Sequence, residues 1–144
     1  MSFLLDTNAC IALINGAPPA VRTRFQQAAA DGEALAVPSV VVFELWYGVG
    51  KSARQDANAA RLRTFLAGPL ELLALDDEDA RIAGLLRATL ETAGTPIGAY
   101  DLLIAAQALR HGMTLVTANV AEFARVAGLA WEDWAGPQMP RFRR

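Results

Sequence analysis

The sequence predicts an α/β fold built on a parallel sheet, and three observations predict it. Short apolar runs alternate with longer stretches of helical periodicity, the pattern of repeated βαβ units. The runs end at residues that cap or break, such as Asp6-Thr7-Asn8, Pro38-Ser39 and Gly68-Pro69. A length of 144 residues with 53% hydrophobic content supplies one domain with an ample core and leaves little room for a second.

The elements follow in order. Phe3-Leu4-Leu5 is a first strand, and Asp6, Thr7 and Asn8 can all cap the helix after it. Pro18-Pro19 breaks that helix, and a second runs from about 21 to 30. Ala34-Leu35-Ala36-Val37 is a second strand, followed by a strongly apolar helix from Val40 to about Val49. Residues 54–66 form an Ala/Arg-rich amphipathic helix, and residues 70–75 a third strand. Asp76-Asp77-Glu78-Asp79 opens a helix reaching about Thr92, and its acids suit a solvated first turn facing the helix dipole. After the loop Gly94-Thr95-Pro96, a helix runs from about Ala99 to Arg110. Thr114-Leu115-Val116-Thr117 is a fourth strand, residues 120–124 a short helix, and Leu129 to Trp131 a fifth strand. Residues 1–136 read as one domain. Residues 137–144, with Arg141, Arg143 and Arg144, read as a basic, mobile tail.

The formal charge is −2, so the chain is no polycation, and any nucleic acid must be held by a local basic patch. Lys51 is the sole lysine among 13 basic residues; the arginine bias suits bidentate phosphate contacts and equally fits a GC-rich genome. The single cysteine, Cys10, excludes an intrachain disulfide and a Cys-based zinc site, and its apolar surroundings make it a core residue. No signal-peptide pattern and no membrane-length apolar run is present, which leads to the expectation of a cytoplasmic protein.

Three acids interrupt apolar sequence: Asp6 after Phe-Leu-Leu, Glu44 within Val40–Tyr47, and Asp101 directly before Leu102-Leu103-Ile104. All fall near the C-terminal ends of expected strands or in the first turns of the next helices, the edge where open parallel sheets bind ligands. Asp6 also reads as a helix cap, and Asp101 as an acid meeting a helix dipole. Glu44 is harder to place on a solvated face, because its helical neighbours are Val40, Val41 and Tyr47. If three ionised carboxylates converge to about 5 Å, each pair repels by roughly 3 kcal/mol and the set by on the order of 10 kcal/mol. A proton, an arginine or a divalent cation resolves such repulsion. Oxygen-only ligands favour Mg²⁺ or Mn²⁺ over zinc. Asn119 and Glu122, just past the fourth strand, can add oxygens to the same edge. The sole histidine, His111, sits at a helix C-terminus and suits a dipole contact, so a two-histidine acid–base mechanism lacks its parts. Water activated by a metal is the hydrolytic route this inventory supports.

Four segments in order resemble the PIN-domain ribonucleases, and within them the VapC toxins of bacterial toxin–antitoxin pairs. They are Leu4-Leu5-Asp6-Thr7-Asn8; Glu44-Leu45-Trp46-Tyr47-Gly48; Gly98-Ala99-Tyr100-Asp101-Leu102-Leu103-Ile104-Ala105-Ala106; and Leu115 to Phe123, continued by Val126-Ala127-Gly128-Leu129. The resemblance covers nearly the whole chain. It implies a three-layer α/β/α sandwich around a four- or five-stranded parallel sheet. It implies that Asp6, Glu44 and Asp101 are the acidic, catalytic metal-site residues, with Thr7, Asn8 and Thr117 shaping the same pocket. Where many relatives carry a fourth Asp, this chain has Asn119, with Glu122 as a substitute one helical step on. The implied activity is Mg²⁺- or Mn²⁺-dependent hydrolysis of an RNA phosphodiester, in tRNA or rRNA, leaving 5′-phosphate and 3′-hydroxyl ends. The implied partners are a second copy of the chain and a cognate antitoxin whose basic side chain reaches the carboxylates. Trp46, Tyr47 and the apolar parts of the 54–66 helix are contact surface for it.

Other phosphoryl-transfer folds fit less well. A haloacid-dehalogenase-type enzyme wants an acid where Asn8 stands, and both it and a response-regulator receiver want a late basic residue, yet no lysine follows Lys51. The non-enzymatic alternative is a catalytically inactive PIN-like protein-binding module. Asn119 favours it; the intact Asp6, Glu44 and Asp101 oppose it.

Overall fold

The computed structural model describes residues 1–136. The basic tail expected over 137–144 lies outside the described residues.

The first apolar run forms β1 (Ser2–Leu5), in which Phe3, Leu4 and Leu5 are completely buried. Burial is this deep because the strand is central and covered on both faces, which is why no polar residue alternates along it. β1 pairs in parallel with β2 (Ala34–Pro38) on one side and β4 (Thr114–Val116) on the other, placing Leu4 beside Ala36 and Leu115. β3 (Glu71–Leu73) pairs outside β2, and β5 (Trp131–Glu132) outside β4. The five-stranded parallel sheet therefore has the order β3-β2-β1-β4-β5.

Helices α1 (Thr7–Asn15) and α2 (Pro19–Ala30) connect β1 to β2, and α3 (Ser39–Gly50) and α4 (Gln55–Leu66) connect β2 to β3. The chain returns through α5 (Asp77–Thr92) and α6 (Ala99–His111) to β4, then through α7 (Val120–Phe123) to β5. Right-handed crossovers put α1–α4 on one face and α5–α7 on the other, giving the three expected layers. Because the connections leave β1 and β4 toward opposite edges, a crevice opens between their C-terminal ends, the switch point where ligands bind in such sheets.

Two local details differ from the sequence reading. α2 begins at Pro19, two residues early, because proline is preorganised for a first helical turn. The acidic start of α5 is only partly solvated. Asp79 has no exposure; it forms a reciprocal capping box with Asp76, accepts from Gln107 Nε2 at 3.2 Å, and pairs with Arg110 at 3.0 Å. The run lies outside the acidic crevice, as expected, but one of its members is a buried tie between α5 and α6. His111 ends α6 with Nε2 3.5 Å from the same carboxylate. Cys10 is fully buried in the core. No helix among the described residues is long and apolar enough to cross a membrane.

Candidate active site

Asp6 is the first residue past β1. Its backbone N–H donates to the Val116 carbonyl at 3.1 Å, extending the sheet by one bond. Its side chain caps α1, accepting from the Ala9 N–H at 2.8 Å. The cap reading holds, and the bond that starts the helix also fixes the carboxylate over the crevice. Only 5% of Asp6 is exposed. Burial pushes its carboxyl up; hydrogen bonds from the Thr117 hydroxyl and the Ala9 N–H oppose this, and the negative charges of Glu44 and Asp133 add to it.

Glu44 projects from α3, half-buried, and accepts from the Thr7 hydroxyl at 2.7 Å. That bond joins α3 to the first residue of α1 across the chain. Asp101 stands in the first turn of α6 and is pushed up to about 7, chiefly by burial, then by the charge of Glu122 and a hydrogen bond shared with it, then by Asp6 and Glu44. Glu122 goes the opposite way. Its Oε1 accepts from the Gly98 N–H at 2.6 Å and its Oε2 from Asn119 Nδ2 at 2.7 Å, and these bonds hold its carboxyl below the usual range despite partial burial. Gly98 lies close against both acids: a Cβ there would stand 3.6 Å from Glu122 Oε1 and 3.7 Å from Asp101 Oδ2. Thr117, buried at the end of β4, accepts from the Asn119 N–H at 2.9 Å and reaches Asp6, so one hydroxyl serves both halves of the site.

The crevice thus places Asp101 within electrostatic reach of Glu122, Asp6 and Glu44, and Asp6 within reach of Glu44, with Thr7, Thr117 and Asn119 bonded to them. Asn8 differs: it is exposed, and lines a neighbouring cavity with Thr117 rather than bonding to an acid. Two contributors went unread in the sequence. The Gly98 N–H is a backbone group and leaves no side-chain signal. Asp133 does leave one, an acid immediately past a strand like Asp6, but it is visible only once β5 is known to extend to Glu132.

Among the described residues, no three His, Cys, Asp or Glu side chains are already grouped as a cation cage. The chemistry of the set nevertheless fits a hard divalent cation. Every donor is oxygen, and burial with neighbouring carboxylates pushes both Asp6 and Asp101 up. The proton that Asp101 shares with Glu122 offsets part of that repulsion, and a cation would displace it. Beside Glu44, a groove of about 320 Å³ runs between α1, α3 and α4, lined by Ile11, Ile14, Leu45, Val49 and Arg61.

The PIN-domain family model matches residues 3–129, nearly the whole described fold. The chain belongs to the PIN-domain family. As a PIN domain it is 38% identical over 134 residues to the tRNA(fMet)-specific endonuclease VapC of Salmonella typhimurium, covering 93% of this chain and 98% of that one. It is equally 38% identical to Ribonuclease VapC2 of Rickettsia felis, with the same coverage. Among solved structures, VapBC2 of Rickettsia felis bound to a promoter DNA fragment superposes with a TM-score of 0.86 at 37% identity, covering 93% of this PIN domain and 99% of that chain. DNA-bound VapBC of Salmonella typhimurium gives 0.85 at 38% identity, covering 93% and 98%.

Proposed function

We propose that this PIN domain is a Mg²⁺- or Mn²⁺-dependent endoribonuclease, the toxin of a toxin–antitoxin pair, acting on tRNA or rRNA in the cytoplasm. The observation that carries the reading is the convergence of Asp6, Glu44, Asp101 and Glu122 at the switch point of the sheet, where burial and mutual charge push Asp101 up to about 7. Asp6 and Asp101 would hold the cation most directly and Glu44 would bind it through water or orient the nucleophile, with Glu122 standing in for the acid that Asn119 replaces. A cation held there would lower the pKa of water and offset charge on the phosphoryl oxygens.

The chain's own residues prepare that chemistry. The Ala9 N–H and the Thr117 hydroxyl fix Asp6, the Thr7 hydroxyl fixes Glu44, and the Gly98 N–H and Asn119 fix Glu122. Side chains locked in this way meet a scissile phosphate with little reorganisation. Hydrolysis leaves 5′-phosphate and 3′-hydroxyl ends.

An antitoxin segment fits the groove between α1, α3 and α4, whose apolar walls lead to Glu44, so a basic side chain lying in it reaches the acids. A homodimer is the expected assembly. An exposed aromatic pair, Phe43 and Tyr100, packs edge-on at 5.6 Å beside Glu44 and Asp101, and a second copy docked there would bring two sites together. An inactive binding module has no need to bind a divalent cation. Calorimetric titration with Mn²⁺ separates the two readings: the nuclease binds it and Asp6→Asn loses it, whereas a wild type without affinity supports the module.

A further inference from the structure

With a formal charge of −2 and a crevice lined by acids, the chain needs a local basic patch to hold a polyanion. Most cations among the described residues are already committed. Arg24, Arg81, Arg87 and Arg110 pair with carboxylates. Lys51 and Arg63 lie over the rings of Tyr47 and Trp46, and Arg125 donates to the Pro96 carbonyl, where its charge reaches Glu122. Arg22 and Arg61 differ. They come from α2 and α4 to one cavity of about 410 Å³, walled by Leu13, Ile14, Ala60 and Phe65.

The two guanidiniums stand over the last turn of α1, on successive carbonyls. Arg22 Nη2 donates to the Leu13 carbonyl at 2.9 Å, and Arg61 Nη2 donates to the Ile14 carbonyl and to Asn15 Oδ1, both at 3.1 Å. Gly16 makes room for the first: its φ of 71° ends the helix, and a Cβ there would stand 3.0 Å from Arg22 Nη1. α1 has no basic residue in its own last turn, and one borrowed guanidinium would meet a helix end worth about half a negative charge. Two leave an excess of positive charge. Among the described residues, neither has a carboxylate within ion-pair distance. Both side chains are exposed and bond through Nη2 alone among the described residues, so Nε and Nη1 stay available as donors.

We propose that Arg22 and Arg61 form a phosphate-binding site for the RNA backbone, anchoring a phosphodiester other than the one that is cut. The proposal rests on the ribonuclease reading in taking RNA as the ligand. Two planar forks oriented by fixed bonds match the non-bridging oxygens of a phosphodiester. An anion between them also offsets the repulsion of two like charges set on neighbouring carbonyls. Position links the pair to the acids, because the groove beside Glu44 and this cavity share Ile14 and Arg61. A strand with one phosphate in the crevice therefore reaches the arginines along that groove. Contacts of this kind fix register and carry affinity without reading sequence. An antitoxin segment lying in the groove covers the same path, so the two occupants exclude one another.

The test is equilibrium binding of a short fluorescein-labelled single-stranded RNA to the full chain in EDTA, followed by anisotropy across a salt series. Arg22→Gln and Arg61→Gln each weaken binding about three- to ten-fold at low salt. Each also lowers the slope of log affinity against log salt by about 0.7, the value of one phosphate contact on a single strand. Arg61→Lys, which keeps the charge, keeps the slope. Arg87→Gln removes one positive charge from α5, in the opposite layer, and changes neither quantity. Thermal melting confirms that each variant is folded at the assay temperature. A wild type that does not bind the RNA overturns the proposal, as do arginine variants with an unchanged slope or an Arg87→Gln loss equal to theirs. So do arginine variants that keep RNA and lose an Asp- and Glu-rich peptide, which would assign the pair to a protein partner. Cleavage in Mn²⁺ is a separate readout: a wild type that binds RNA through the pair yet cuts nothing would fail the ribonuclease reading and keep this site.

Discussion

Replacing Asp101 with Asn is expected to make the cation-free protein more stable, although it removes a residue assigned to the catalytic site. Asp101 rises from 3.8 to about 7 on folding, driven by burial and by three neighbouring acids. Because the folded value lies above the unfolded one, the folded state holds this proton more tightly. The stability it contributes is fully present below about pH 4, falls as pH rises toward 7, and is gone above that. Taken in full the shift corresponds to about 4 kcal/mol. Asp101 is half-exposed, and solvent screening reduces the expectation to about 1–2 kcal/mol. Urea unfolding in EDTA should therefore find Asp101→Asn more stable than wild type by about 1–2 kcal/mol at pH 8, with little difference at pH 4.5. Saturating Mn²⁺ should reverse the order at pH 8, because only wild type gains from binding. An Asp101→Asn protein no more stable than wild type at pH 8 in EDTA would refute the reasoning, since the acids would then not be repelling one another.

The remaining predictions address separate parts of the structure. Mn²⁺ should bind more tightly at pH 8 than at pH 6 and release a proton on binding at pH 6, seen by calorimetry in two buffers of different ionisation enthalpy. Asp79→Ala should destabilise by about 3 kcal/mol, because it leaves the Arg110, Gln107 and Asp76 donors without their buried acceptor; chemical unfolding measures this, and cleavage per folded molecule should persist. Thr117→Val keeps the side-chain volume and removes the hydroxyl that serves Asp6 and Asn119. It should cost about 1–3 kcal/mol in stability and weaken Mn²⁺ binding, and unchanged Mn²⁺ affinity would show that the hydroxyl does not position the site.

Much of this was legible in the chain before any coordinates, and the reasons are local. Asp6, Glu44 and Asp101 announce themselves because an ionisable residue inside apolar sequence must be explained; Asp6 follows a strand, Asp101 opens a helix, and Glu44 interrupts an apolar one. The parallel α/β class follows from apolar runs alternating with helices, whereas the order β3-β2-β1-β4-β5 is set by long-range pairing that no local pattern records. What escaped was set by distant residues. Nothing within α5 separates Asp79 from Asp77, yet one is buried and the other exposed, because Gln107 and Arg110 arrive from α6 to meet only the first. Asp133 was hidden by one residue of strand length. Ending β5 at Trp131 leaves Glu132 and Asp133 as loop acids, whereas ending it at Glu132 puts Asp133 in the same position past a strand that Asp6 occupies. Glu122 was read only as a substitute for a missing acid, but its bond from the Gly98 N–H makes it the partner that sets the behaviour of Asp101.

The account rests on these acids forming one cation-dependent hydrolytic centre, and cleavage of RNA tests it most directly. Purified protein, free of antitoxin, would be incubated with total tRNA and rRNA in Mg²⁺ or Mn²⁺, with EDTA and Asp101→Asn as controls, and the product ends mapped. Discrete cuts that need the cation, vanish in the variant and leave 5′-phosphates are predicted. Intact RNA with wild type, or equal cutting by Asp101→Asn or in EDTA, would contradict the central claim.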